Sequence, residues 1–105
     1  MSMIDYVLQA TTEYIDRIPK SLRKKYGQFF TSKETAAFMA GLFTVPNQKT
    51  ISILDPGAGS GILSVALIER LQTVPCVEKI VLVCYENDPN VLELLESNLN
   101  WVFAI

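Results

Sequence analysis

The chain has 105 residues, half of them hydrophobic, with a mean hydropathy of +0.26, which is apolar for a single small domain and points to a slice of a larger core. Its net charge of −2 is split, with +3 over residues 1–50 and −5 over residues 51–105. Cys76 and Cys84 form no C-x-x-C pair, no histidine is present to complete a metal set, and no signal peptide, transmembrane run or N-glycosylation sequon is visible, so the expected setting is cytoplasmic and reducing, without metal or membrane.

Residues 3–18 place Ile4, Val7, Leu8, Tyr14, Ile15 and Ile18 at helical spacing, closed by Pro19. Arg17 to Lys25 then holds five of the nine basic residues. Arg23, Lys24 and Lys25 suit contact with a phosphate backbone, and a solvated loop suits the same run equally well. The segment Tyr26-Gly27-Gln28-Phe29-Phe30-Thr31 places three aromatics and two polar side chains just before a helix N-terminus. Ser32 or Thr31 can cap that helix, whose apolar face is expected to comprise Ala36, Ala37, Met39, Ala40, Leu42 and Phe43. Free backbone N–H groups at such a terminus attract a carboxylate.

Residues 44–50 form a polar connector turned by Pro46 and Asn47. They lead into Ile51-Ser52-Ile53-Leu54-Asp55-Pro56-Gly57-Ala58-Gly59-Ser60-Gly61, which reads as a buried strand, a glycine-rich bend and the start of a helix capped by Ser60. The G-x-G-x-G spacing differs from the G-x-G-x-x-G of a dinucleotide loop, whose third glycine would fall at Ile62, and no Gly-Lys-Ser/Thr follows as in a Walker loop. A carboxylate at Asp55 would repel phosphate oxygens and favours an amine-bearing ligand. The helix runs to about Leu71, ahead of Pro75. Lys79 to Tyr85 is a second apolar strand, expected to be parallel to the first and covered on both faces, with Cys84 a small buried hydrophobe. It ends in Glu86-Asn87-Asp88-Pro89, where Glu86 is placed to accept from a ribose diol, Asn87 and Asp88 flank the base, and Asp88 also caps the next helix with Pro89 at its first position. That helix covers Asn90 to about Leu99, and Trp101 to Ile105 reads as the beginning of another strand.

The bend resembles the cofactor loop of class I S-adenosylmethionine-dependent methyltransferases. The run at 26–31 resembles the Gly-Gln-Phe-Tyr/Phe-Thr-Pro motif that precedes that loop in N6-adenine-specific DNA methyltransferases of restriction–modification systems, with Ser32 in place of the proline. The resemblance covers about Arg23 to Leu99. It implies an α/β, partial Rossmann-like class I methyltransferase fold, truncated after the first βαβα units of a parallel sheet. Residues 1–50 would form an N-terminal helical segment and residues 51–105 the first half of the cofactor domain. It also implies S-adenosyl-L-methionine as cofactor. Asp55 would bind the methionine amino group, Gly57, Ala58, Gly59 and Gly61 would give close backbone approach, and Glu86 and Asn87 would hold the nucleoside. Thr31 and the backbone of 28–30, including Gln28, would take the carboxylate, with Tyr26 and Phe30 as wall residues.

The family's catalytic Asn/Asp-Pro-Pro-Tyr/Phe motif is not among these residues, which contain no Pro-Pro dipeptide. The expectation is therefore the cofactor half of a longer enzyme, inactive alone and meeting DNA only through the full-length protein. Its apolar strand 51–54 would form an unpaired edge prone to self-association. Two other readings stand beside it: part of an RNA or protein-glutamine methyltransferase, and a non-catalytic module that holds nucleic acid or another subunit through Arg17–Lys25.

Overall fold

A computed structural model describes residues 1–27 and 30–104, with the side chains of 25–27 excepted. In chain order the elements are α1 (Met3–Arg17), α2 (Lys20–Gly27), α3 (Lys33–Gly41), β1 (Thr50–Asp55), α4 (Ile62–Leu71), β2 (Lys79–Cys84) and α5 (Pro89–Ala104). Helix α1 starts where the Ser2 hydroxyl accepts from the Asp5 N–H, and Glu69 of α4 accepts from the Ile4 N–H at 2.9 Å. Pro19 stops it, since proline cannot continue the hydrogen-bond ladder.

The basic run is helical, as α2, rather than a loop. The Pro19 carbonyl accepts from the N–H groups of Leu22 and Arg23, and the Arg23 guanidinium donates to the carbonyls of Ile18 and Asp16 at the end of α1. Ser32 caps α3 by accepting from the Thr35 N–H. The expected apolar face of α3 is only partly used. Ala36 and Ala40 are buried, whereas Ala37, Met39, Leu42 and Phe43 are exposed. Small residues on the inner face allow α3 to approach α4, and Arg70 of α4 donates to the carbonyls of Ala40 and Phe43 at the C-terminal end of α3.

The two strands run parallel, with Thr50 opposite Lys79 and Asp55 opposite Cys84. Alternation puts Ile51, Ile53, Ile80 and Leu82 on the face that packs against the helices. Thr50, Ser52, Leu54, Lys79, Val81 and Val83 lie on the other face, which is open. The expectation of a sheet covered on both faces is thus corrected: among the described residues the helices contribute to one face alone. Residues from 1–50 and 51–105 share one core, in which Met3, Ile4, Val7, Ala36 and Ala40 join Ile51, Ile62, Val65, Ile68, Leu71 and Val102.

The strand expected from Trp101 onward is instead the last turn of α5. The Trp101 ring stacks on Tyr6 of α1, with centroids 3.9 Å apart and planes 4° from parallel, and Val102 is buried. A long-range aromatic contact overrides the local β preference of Trp-Val-Phe. No described helix is long and apolar enough to cross a membrane.

Candidate functional site at the carboxyl edge of the sheet

The bend after β1 is held from below by β2. The Tyr85 N–H donates to the Asp55 carbonyl at 2.9 Å, and the Ala58 N–H donates to the Tyr85 carbonyl at 3.0 Å. Two glycines take left-handed backbone conformations that a side chain would strain, Gly59 at φ +58° and Gly61 at φ +95°. The expected Ser60 cap is corrected. Gly61 is the N-cap residue of α4, without a side-chain cap, and the Ser60 side chain is turned into the interior.

The two halves of the bend face different ways. A Cβ on Gly57 would meet nothing within 4 Å, whereas one on Gly61 would lie 3.0 Å from Leu95 Cδ1 of α5. Gly61 therefore permits helix packing rather than approach to a ligand, which corrects its expected role. Asn98 of α5, itself buried, donates from Nδ2 to the Ser60 carbonyl at 2.9 Å. Ser60 Oγ and Asn98 Oδ1 are buried without a hydrogen-bond partner among the described residues.

A hollow of about 70 Å³ lies over the outer half, lined by Phe30, Thr31, Asp55, Gly57, Ala58, Gly59, Ser60, Ile62 and Leu63. Phe30 comes within 3.9 Å of the Cβ position of Gly59. The segment before α3 and the bend after β1, far apart in sequence, thus meet at one place. The enclosed space is smaller than an ordinary ligand pocket of about 300–1,000 Å³.

Asp55 is oriented by Ser64 of α4, whose Oγ donates to Oδ2 at 2.6 Å. Cys84 Sγ lies 3.8 Å from the same hydroxyl and is half-buried rather than fully buried. Burial pushes its thiol pKa up, the hydrogen bond with Ser64 pulls it down by less, and the nearby Asp55 charge adds to the rise, so the thiol stays protonated at neutral pH. Glu86 holds the rim: Oε1 accepts from the Gly59 N–H and Oε2 from the Asp88 N–H, both at 3.0 Å. Asp88 Oδ1 accepts from Asn90 N–H and Val91 N–H, capping α5.

Of the sequence-predicted site residues, the fold brings Phe30, Thr31, Asp55, Gly57, Ala58 and Gly59 to the hollow and ties Glu86 to its rim. Asn87 is exposed beside it. Gln28 and the side chains of Tyr26 and Lys25 lie outside the described residues. Arg23 is committed to the end of α1, while Lys24 is exposed on α2. Sequence reasoning missed Ser64, which aims Asp55, and Asn98, which braces Ser60. The signal was present in both cases: each is a lone polar residue on an otherwise apolar helical face. Among the described residues no cluster of three or more acidic, cysteine or histidine side chains could hold a metal ion. No protein-family model, curated protein or solved structure matches the chain.

Proposed function

We propose that this chain is the S-adenosylmethionine-binding part of a site-specific DNA adenine-N6 methyltransferase of Rossmann-like class I fold, serving a restriction–modification system. The observation that supports this reading best is the seating of Phe30 and Thr31 on the Asp55–Gly59 bend, with Glu86 hydrogen-bonded to that same bend. The residues fit the cofactor's chemistry. The space beyond Gly57 admits a close backbone approach, and Asp55 offers a fixed carboxylate to an ammonium group. Thr31, which lines the hollow, would take the cofactor's carboxylate in this reading. Glu86 keeps lone pairs on both oxygens for the hydroxyls of a ribose.

When bound, the cofactor supplies a methyl group activated by its sulfonium. The task of these residues is to bind and orient it, with Asp55 favouring a cationic ligand over a phosphate. The residues that hold the target adenine have to come from polypeptide other than residues 1–105, so the chain alone should transfer no methyl group.

Calorimetric titration with S-adenosylmethionine tests the reading. We expect saturable binding by the folded chain, weakened about tenfold, or by about 1.4 kcal/mol, in Asp55→Asn and again in Glu86→Gln. No binding by a folded chain, together with salt-sensitive DNA binding, would replace this reading with that of a non-catalytic nucleic-acid module.

A further inference from the structure

We infer that Ser64 of α4 is a positioning residue for a ligand's primary ammonium, an inference that rests on the cofactor reading: by claiming one oxygen of Asp55, it leaves the carboxylate a single acceptor of fixed direction. Ser64 is 1% exposed, and the other buried residues of α4, among them Val65, Ile68 and Leu71, are apolar. A buried hydroxyl is costly unless it is hydrogen-bonded. Within a helix it commonly returns its proton to the carbonyl four residues back, as Thr11 does to Val7 and Thr12 to Leu8. Ser64 instead reaches out of its helix to β1, where its Oγ donates to Asp55 Oδ2 at 2.6 Å. That length is typical of a hydroxyl bonded to an ionised carboxylate.

The bond sets what Asp55 can hold. Asp55 lines the hollow and Ser64 does not, so the hydroxyl acts on a ligand through the carboxylate rather than by touching it. A carboxylate with both oxygens free accepts a guanidinium in two parallel bonds. With Oδ2 claimed, Oδ1 remains as one acceptor, which suits the compact point charge of an ammonium. Holding the carboxylate in place before the ligand arrives also removes the entropy cost of ordering it on binding. Ser64 thus selects the amino-acid end of a ligand that it never contacts.

Calorimetric titration of the 105-residue chain with S-adenosylmethionine and with its deamino analogue, which carries hydrogen in place of the ammonium, provides the test. Ser64→Ala suits a helix interior, and its far-ultraviolet circular dichroism should match the wild type. It should weaken S-adenosylmethionine about tenfold and leave the affinity for the analogue within about twofold. In an Asp55→Ala background the same substitution should cost S-adenosylmethionine no further affinity, because the carboxylate through which Ser64 works is already gone. Equal weakening of both ligands, undiminished affinity for S-adenosylmethionine, or a further loss in the double variant would each overturn the inference and leave the cofactor reading standing. A wild type that binds neither ligand would overturn that reading, and this inference with it.

Discussion

The outer half of the bend, Asp55 to Gly59, and the inner half, Ser60 and Gly61, lie on one glycine-rich stretch and serve opposite ends. The outer half faces a hollow and open space, and its polar groups are tied to Tyr85 and Glu86 just after β2, to Ser64 and to the Gly61 N–H. The inner half is pressed on α5 through Leu95 and Asn98. Glycine occurs in both halves for different reasons: to expose backbone at Gly57, and to admit a neighbouring helix at Gly61. Identical spacing in a motif therefore does not mean identical work.

Substitutions can break that division or sharpen it. The largest effect is expected at Gly61→Ala, where a Cβ is strained at φ +95° and crowds Leu95. It should cost about 2–4 kcal/mol of stability, read as a lowered midpoint in urea. Next comes Asn98→Ala, which strands the buried Ser60 carbonyl and should cost about 1–3 kcal/mol in the same measurement. A loss of stability in either variant that left cofactor affinity per folded molecule unchanged would support a purely structural inner half.

Glu86→Ala belongs to the outer half. It frees the Gly59 and Asp88 N–H groups to water, so stability should fall by about 1 kcal/mol or less, while affinity for S-adenosylmethionine drops about tenfold. The smallest structural effect is expected at Gly57→Ala. Nothing lies within 4 Å of the added Cβ, and stability should stay within about 1 kcal/mol of wild type, with any change favouring the folded state. Its affinity should nevertheless weaken. An unfolded Gly57→Ala variant, or one with undiminished affinity, would erase the distinction between the two halves.

Local rules determined much of this chain from the sequence. Apolar periodicity located α1, α3 and α4, the two strands were legible as short aliphatic runs, and Ser32 and Asp88 were recognisable as caps, because each of these depends on neighbours within a few residues. Residues 30–31 and 55–59 line one hollow in the folded chain. Only tertiary structure decided the rest. Trp101 stays helical because Tyr6 lies beneath it, the side chains of Leu42 and Phe43 remain outside because α3 meets α4 through alanines, and one sheet face is left open. Gly61 faces α5, and Asn98, on the face shared with Leu94 and Leu95, reaches back to the bend. A contact made across tens of residues leaves no periodic trace in either partner, so spacing alone cannot assign it.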